Sequence, residues 1–336
     1  MDTARFSNDQ RARGSLRALV FVVVGLLAIA RLGRAQKLRP DSSGFITAGD
    51  GAKLYYSIYG HGRDTVIVPG GMLLEEALGP LSSELTLVFY DPRGRGRSDW
   101  IADAKRLTMV DELRDLEAVR GRLGISRAGV VGFSYWGLMT ALYAADHPER
   151  VTRLAQLGPV APDELTASRY APVEGRQRSD SAAVRLARAR AAASDTADFA
   201  AECRRWYAAN LPVLLGDPAS ASQVSTAFCA YENESPSRFQ WRVDKTMRSL
   251  SRHWDFTKQA AAIRAPTLVV QGDLDFAVSP DGARRWAELI PDARLIMLAG
   301  AGHLAYVERS DRVLPALARF FAGQWPPEAM PLRTSR

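Results

Sequence analysis

The sequence predicts an α/β fold: a mostly parallel, doubly wound sheet interrupted by a helical insertion. Three patterns lead to this prediction. Short, almost continuously apolar runs are separated by turns, which is typical of parallel strands covered on both faces. Segments with apolar residues at helical spacing alternate with these runs, as a doubly wound sheet requires. The strand signals then stop over 162–262 and resume afterwards, which indicates the insertion.

The domain organisation follows from these patterns. We expect an α/β core built from two segments of the chain. A helical cap is inserted between them, over the carboxyl ends of the strands, where such folds bind ligands. A leader precedes the core and a short tail follows it. The expected ranges are 1–36 for the leader, 41–161 and 263–323 for the core, 162–262 for the cap and 324–336 for the tail.

The core begins with FITAG and KLYYSIYG, which predict a hairpin because side chains of the second run alternate between two faces. The clearest helix signal covers 110–123, where apolar residues recur at helical spacing and Glu112, Asp115 and Arg120 fall on the other side. Another helix is expected from Tyr135 to about residue 146. Further strands are predicted at 65–68, 85–90, 129–133, 268–271 and 294–298.

The leader contains an apolar run, 18–30, with Arg17 and Arg31 on its flanks. As a helix this run would reach about 20 Å, short of the roughly 30 Å hydrocarbon core of a membrane. The pattern is typical of a secretory signal peptide or a membrane anchor, and both remain open because charge at Arg31 and Arg34 disfavours cleavage. We expect an exported protein, periplasmic or extracellular, or one anchored to the membrane. A cytoplasmic protein with a buried N-terminal helix is the alternative.

Most of the net charge of +7 belongs to this leader. Up to Pro40 there are eight Lys and Arg residues against two Asp residues, a balance of +6, which leaves +1 for the rest of the chain. A nearly neutral body offers no basic stripe for a phosphate backbone. A nucleic-acid partner is therefore not expected.

The two cysteines, Cys203 and Cys229, are too few and too far apart for a metal site built on cysteine ligands. Both lie in the predicted cap. In an oxidising compartment they would pair and close a loop there, and two buried free thiols are the alternative.

The stretch GFSYWG, 132–137, nearly matches the nucleophile elbow G-x-S-x-G. Gly132 stands correctly before Ser134, but Trp136 takes the second small position and the glycine follows at Gly137. Ser134 follows a predicted strand and opens a predicted helix, which is the context of a catalytic serine. A serine that merely caps the helix is the alternative. We predict that Ser134 is a nucleophile.

A nucleophilic serine needs a base to take its proton and a carboxylate to orient that base. In α/β folds of this kind the three residues follow in the order Ser, Asp or Glu, His. One predicted strand is followed by GDLD, which contains Asp275. The next predicted strand is followed by AGAGH, which contains His303. Because parallel strands end at one edge of the sheet, Ser134, Asp275 and His303 are predicted to meet there.

Acyl transfer also needs N–H donors for the oxygen on which negative charge develops. The backbone amide of Tyr135, directly after the serine, is one expected donor. The turn PGG, 69–71, follows an early strand, and its glycines let the backbone approach a substrate without a side chain between them. We predict that the amides of Gly71 and Tyr135 form the oxyanion hole.

Taken together, these motifs resemble the α/β-hydrolase superfamily from about residue 43 to 323. PGG stands where the family usually has His-Gly-Gly, and YDPRGRGRSD, 90–99, looks like its sharp turn before the next helix. GFSYWG, GDLD and GAGH look like the nucleophile, acid and histidine motifs. Pro69 and Trp136 depart from the usual residues. The resemblance implies a serine hydrolase that uses no metal, nucleotide or organic cofactor.

The family pattern places the acid three residues after a glycine, which selects Asp275 after Gly272 and leaves Asp273 as a solvated turn residue. Asp163 is a distant alternative acid. The other histidines are expected to be structural or exposed. They are His61, His147 and His253.

Within the superfamily, the cap sequences RRWYAANLPVLLGDP and AYENES look most like those of proline iminopeptidase-like enzymes. In that group a cap glutamate binds the free amino terminus of the substrate. Glu232, with Glu234 nearby, could match it, and a solvated cap loop is the alternative.

The sequence therefore predicts cleavage of an ester, amide or peptide bond through a Ser-His-Asp triad and an acyl-enzyme. An aminopeptidase resembling the proline iminopeptidases and a carboxylesterase are the two substrate classes. A catalytically idle binding protein with the same fold is the rival. The expected partner is a small molecule or short peptide, with membrane tethering through the leader.

Overall fold

The strands of the computed structural model, which describes residues 38–169, 198–250 and 253–332, form one eight-stranded sheet. Their order across the sheet is β1-β2-β4-β3-β5-β6-β7-β8. β1 and β2 form the predicted antiparallel hairpin, and β2 also pairs antiparallel with β4. The other neighbours run parallel. The strands are β1 Ser42–Thr47, β2 Lys53–Tyr59, β3 Thr65–Pro69, β4 Thr86–Tyr90, β5 Ala128–Phe133, β6 Val151–Leu157, β7 Thr267–Gly272 and β8 Ala293–Leu298.

The central strands are apolar because helices cover both of their faces. All six residues of β5 are buried. Its neighbouring residues Val130 and Val131 belong to two separate core clusters, since successive side chains of a strand point to opposite faces. Helices of the core are α1 Gly71–Leu78, α2 Met109–Arg122, α3 Tyr135–Asp146, α8 Pro280–Leu289, α9 Ala305–Glu308 and α10 Ser310–Phe321.

Helical structure also fills the described parts of 162–262, between β6 and β7. The helices there are α4 Glu164–Arg169, α5 Phe199–Leu214, α6 Pro236–Ser249 and α7 Thr257–Ala262. Short 3-10 turns at Pro218–Gln223, Ala227–Ala230 and Glu232–Glu234 connect α5 to α6. Helices α4 to α7 thus stand where the sequence predicts the cap.

One detail of the α2 prediction is wrong. Glu112 and Asp115 were expected on the side opposite the apolar residues, yet both are buried, whereas the apolar Val110 is exposed. Each carboxylate has a buried arginine partner: Arg242 donates to Glu112 at 2.6 Å and Arg93 donates to Asp115 at 2.6 Å. Ion pairing allows charged side chains to occupy the inner face, which periodicity alone does not reveal.

Cys203 in α5 and Cys229 in the following 3-10 turn form a disulfide. Both residues are buried and pack in the larger apolar cluster. Of the two alternatives that the sequence left open, a disulfide and two free thiols, the structure has the disulfide. The bond links α5 to the turn that leads towards α6.

Removing this disulfide should destabilise the protein measurably. The bond spans 26 residues, and closing a loop of that length is expected to stabilise the folded state by about 3 kcal/mol, through loss of unfolded-chain entropy. Urea unfolding of Cys203→Ala/Cys229→Ala should show a lower midpoint than the wild type. Dithiothreitol should lower the wild-type midpoint and leave that of the double variant unchanged. Equal midpoints for all four samples would contradict this expectation.

Among the described residues, no helix has the length and apolar character needed to cross a membrane. The leader predicted at 1–36 lies outside the described residues.

Candidate active site

Ser134 occupies a sharp turn between β5 and α3. Its φ of 55° and ψ of −121° make it the one non-glycine residue with positive φ in the described part of the chain. Such backbone conformations cost roughly 1–3 kcal/mol and persist where the surroundings enforce them. Here the Ser134 amide donates to the Leu157 carbonyl at 2.9 Å. A Cβ at Gly132 would lie 2.2 Å from Thr140 Oγ1, so the position before the serine must be small.

Trp136 fits at the second small position of the elbow because its side chain points away from the turn. The ring is buried against Gly70, where a Cβ would lie only 2.5 Å from it. Gly70 also has a φ of 85°, which favours glycine. The indole Nε1 donates to Glu112 Oε2 at 3.2 Å. Trp136 and the PGG turn are therefore packed to fit each other.

Ser134, His303 and Asp275 lie in one hydrogen-bonded series, as the sequence predicts. Ser134 Oγ is 3.1 Å from His303 Nε2, and His303 Nδ1 is 2.8 Å from Asp275 Oδ2. Asp275 is fully buried and His303 is 7% exposed. With its Nδ1–H donated to Asp275, the imidazole presents Nε2 as the acceptor for the serine hydroxyl. This arrangement can move a proton from Ser134 to His303.

The Asp275 carboxylate is held in place by further donors. Oδ1 accepts the backbone N–H groups of Ala277 and Val278, each at 2.9 Å, and Oδ2 accepts from Gln271 Nε2 at 2.8 Å. A carboxylate that accepts this many hydrogen bonds keeps one orientation towards His303.

The loop that carries His303 is fixed by Glu308 in α9. Its Oε2 accepts the N–H of Gly302 at 2.7 Å and that of Gly216 at 3.2 Å. Its Oε1 accepts the N–H of Asp217 at 2.9 Å. Glu308 therefore joins the end of α5 in the cap to the backbone next to His303.

The two predicted oxyanion donors occupy equivalent positions. Gly71 is the first residue of α1 and Tyr135 is the first residue of α3, and first-turn N–H groups have no acceptor within their own helix. The neighbouring amides of the PGG turn are already used: Gly70 donates to Tyr90 O, and Met72 donates to Asp91 Oδ1. The Gly71 amide is therefore the one left for a ligand in this turn.

Ser134 and His303 line a cavity of about 650 Å³ between core and cap. Its walls are mainly aromatic and aliphatic. Burial raises the pKa of the Tyr135 phenol well above its ordinary value, and the charge of nearby Glu112 adds to this. Burial likewise raises the pKa of Tyr207 and of Tyr306, so these phenols stay neutral. Aromatic residues of the lining include Phe133, Trp136, Trp206, Phe228 and Phe239.

The structure does not bring Glu232 to this cavity. Its side chain is 62% exposed, pairs with Arg238 at 2.6 Å and is not among the lining residues. Glu234 points inwards instead, where Arg95 donates to both of its carboxylate oxygens at 2.8 Å. The geometry therefore gives no support to Glu232 as a ligand for a substrate amino group.

The other candidate residues also lie apart from Ser134, His303 and Asp275. Asp273 is exposed and accepts the Gly300 amide at 2.7 Å. Asp163 accepts the Thr166 amide at the start of α4. The remaining histidines are His61, His147 and His253, with side chains 85%, 36% and 90% exposed.

Several polar residues of the cavity were not predicted, among them Arg95, Arg242 and Thr246. Arg95 stands in YDPRGRGRSD, which sequence reasoning treated as a turn. Arg95 is the middle one of three closely spaced arginines in this stretch, and that clustering is the signal that could have identified it. Arg242 and Thr246 lie in a cap helix whose partners are distant in sequence, so no local pattern pointed to them.

Comparisons with known proteins agree with this architecture. Residues 69–310 match the family described as alpha/beta hydrolase fold. A proline iminopeptidase from Xylella fastidiosa is 32% identical over 130 residues, which cover 36% of this chain and 41% of that protein. The polyketide synthase ThaQ from Burkholderia thailandensis is 27% identical over 273 residues, 78% of this chain but 12% of the synthase. The chain thus spans less than half the length of these two relatives.

Solved structures give the same fold. An esterase from Exiguobacterium antarcticum superposes with a TM-score of 0.63 and 19% identity, covering 84% of this chain and 100% of the esterase. At that identity the likeness shows the fold alone. The family match covers most of the chain, and the sheet is mostly parallel, as in the prediction. The chain therefore belongs to the alpha/beta hydrolase fold family.

Proposed function

We propose that this hydrolase cleaves carboxylic esters with apolar groups, through an acyl-enzyme on Ser134. One observation carries the proposal: the hydrogen-bonded series Ser134–His303–Asp275 opens onto a mainly apolar cavity. The strained backbone at Ser134 and the amides at Gly71 and Tyr135 support the same conclusion, because they match the parts that acyl transfer needs.

In the proposed reaction, Ser134 Oγ attacks the acyl carbon while its proton passes to His303 Nε2. Asp275 stabilises the imidazolium that forms. The carbonyl oxygen becomes an oxyanion and accepts hydrogen bonds from the amides of Gly71 and Tyr135. The ester bond breaks when His303 returns its proton to the leaving alcohol. Water then repeats the sequence on the acyl-enzyme, releasing the acid and restoring the Ser134 hydroxyl.

The charges around the cavity favour an ester over an amino-terminal peptide substrate. An ammonium group needs a carboxylate partner when it is buried. Glu234 and Glu112 are each paired with an arginine, and Glu232 lies outside the cavity. None of these three glutamates offers an unpaired negative charge to an ammonium group buried in the cavity.

A proline iminopeptidase-like activity is the second candidate, and one observation favours it. Glu76 lines the cavity and its side chain is exposed. An exposed carboxylate at the rim could meet a substrate ammonium. The iminopeptidase relatives support the same possibility, although the match to the one described above covers only 36% of this chain.

Comparing p-nitrophenyl hexanoate with proline p-nitroanilide separates the two candidates. We expect kcat/KM to favour the ester by at least about 100-fold beyond the ratio of the uncatalysed rates, because a buried ammonium would lack a partner. Glu232→Ala and Glu76→Gln should change ester hydrolysis little. If the anilide is preferred, and Glu76→Gln or Glu232→Ala abolishes that preference, the enzyme is an aminopeptidase and the ester proposal fails.

We further propose that the protein works outside the cytoplasm, exported or anchored through its N-terminal segment. The apolar run at 18–30 and the Cys203–Cys229 disulfide support this, since disulfides persist in oxidising compartments. Fractionation of expressing cells tests it: the protein should appear in the periplasm, medium or membranes. Recovery of reduced protein from the cytoplasm alone would refute it.

A further inference from the structure

Helix α6 presents a mixed surface to the catalytic cavity. Residues at helical spacing along one side of it line the cavity, and two of them are polar. Arg242 and Thr246 are four residues apart, which places them one turn apart on the same face. The other lining residues of this helix are Phe239, Val243 and Met247.

Arg95 joins this surface from the core. Its guanidinium lies 4.8 Å from the centre of the Phe239 ring, one turn before Arg242 on α6. Arg95 and Arg242 also line the cavity together with Ser134 and His303. The polar patch defined by Arg95, Arg242 and Thr246 therefore belongs to the same cavity as the proposed triad.

Both arginines are almost completely buried, with side chains 4% and 3% exposed. Arg95 uses Nε and Nη2 to bind Glu234. Arg242 uses Nε for the Arg93 carbonyl and Nη2 for Glu112. Within the described residues, neither Nη1 has a hydrogen-bond acceptor. Each guanidinium therefore keeps one donor group that can bind a ligand.

Thr246 adds an independent observation. It is 2% exposed, its Oγ1 is buried, and no group in the described ranges makes a hydrogen bond with it. Threonine within a helix commonly bonds the carbonyl four residues earlier, which this one does not do. A buried hydroxyl without a partner is costly, so a bound group that pairs with it would be stabilised.

The charges of the patch indicate what kind of group it binds. Arg95 is balanced by Glu234 and Arg242 by Glu112, so the two pairs carry no net charge. Burial alone would lower the pKa of Arg95, but the Glu234 carboxylate raises it, and the guanidinium stays charged. A buried carboxylate added here would leave an unbalanced negative charge, whereas a neutral acceptor would not.

We propose that Arg95, Arg242 and Thr246 form a second recognition site in the catalytic cavity, which binds an uncharged hydrogen-bond acceptor of the substrate outside its scissile group. Ketone, ester and ether oxygens are acceptors of this class. The proposal deepens the proposed function, because it names the substrate as an apolar ester that carries such an oxygen elsewhere in the molecule.

The test measures binding without turnover, in a Ser134→Ala background. The ligands are methyl decanoate and its 5-oxo, 7-oxo and 9-oxo derivatives, which differ only in one carbonyl and its position. Trp136 and Trp206 line the cavity, so quenching of tryptophan fluorescence reports occupancy. At least one oxo isomer should bind about tenfold tighter than methyl decanoate, as expected for hydrogen bonds from charged donors.

Variants assign this preference to the patch. Thr246→Val removes the hydroxyl at nearly constant volume and should reduce the preference by about three- to fivefold, while Thr246→Ser should retain it. Arg242→Lys keeps a cation opposite Glu112 and should also reduce the preference. Val243→Ala is the matched control on the same helix face, and it should weaken both members of a ligand pair equally.

Equal affinity for all four ligands would overturn the proposal, as would a Thr246→Val effect that is the same with and without the oxo group. Tighter binding of the monoanion of methyl hydrogen sebacate than of every oxo ester would overturn the assignment to a neutral acceptor. Because no turnover is involved, a failure here leaves the proposed chemistry at Ser134 untouched. Conversely, an intact preference together with a wild-type protein that hydrolyses no ester would refute only the proposed function.

Discussion

Ser134→Ala is expected to lower kcat for ester hydrolysis by about 10⁶, the largest effect of any single substitution in this protein. The hydroxyl is the only group that the proposed reaction joins covalently to the substrate, and its loss leaves nothing for His303 to activate. Initial rates with p-nitrophenyl hexanoate measure the effect. Residual activity of about 10³–10⁴ over water would come from the oxyanion donors and substrate binding alone.

A matched control for this variant is Ser83→Ala. Ser83 is an exposed serine that is not among the cavity-lining residues, and its hydroxyl donates to the Pro80 carbonyl. It should keep wild-type activity. If Ser134→Ala retains more than a tenth of wild-type kcat, Ser134 is not the nucleophile and the proposed function is wrong.

Asp275→Asn is expected to lower kcat by about 10⁴ with little change in fold, because the amide is nearly the same size as the carboxylate. The carboxylate accepts the Nδ1–H of His303 at 2.8 Å and so fixes the tautomer that presents Nε2 to Ser134. An amide nitrogen placed there would donate to Nδ1, and the proton would move to Nε2. His303 would then be unable to accept the serine proton. The pH dependence of kcat measures the change.

Asp273→Asn supplies the control, since Asp273 lies in the same loop but is exposed, and its carboxylate bonds only the Gly300 amide among the described residues. It should leave kcat within a few-fold of the wild type. A large loss in Asp273→Asn together with a small loss in Asp275→Asn would show that the acid is assigned to the wrong residue.

The sheet and the meeting of Ser134, Asp275 and His303 at one edge of it could be predicted from sequence, because each depends on local signals. Buried parallel strands are mostly apolar. Ser134 directly follows one such strand, and Asp275 and His303 lie in the loops after two others. The order of Ser134, Asp275 and His303 along the chain then selects one fold family. In the structure, Ser134 Oγ lies 3.1 Å from His303 Nε2, and His303 Nδ1 lies 2.8 Å from Asp275 Oδ2.

The cavity walls could not be predicted in the same way, because they depend on contacts between distant segments. Arg95 and Glu234 are 139 residues apart in sequence, and Arg242 and Glu112 are 130 residues apart. Without these partners, Glu112 looked like a solvent-facing helix residue. For the same reason Glu232 and Glu234 could not be told apart, although one is exposed and the other is buried.

Trp136 shows the same limit at close range. A large residue at the second small position of the elbow departs from the usual pattern. The structure directs the ring towards Gly70 and Glu112 instead. The direction in which the Trp136 side chain points depends on the space that the PGG turn provides, and that turn lies more than sixty residues earlier in the sequence.

The most direct measurement is mass spectrometry of the intact protein after treatment with a fluorophosphonate, followed by peptide mapping. Attack by an activated serine displaces fluoride and leaves a stable phosphonyl ester on that residue. We expect one adduct per molecule, located on Ser134, and its absence after His303→Ala. Folded wild-type protein that forms no adduct, or forms it on another residue, would contradict the claim that Ser134, His303 and Asp275 act as one catalytic unit.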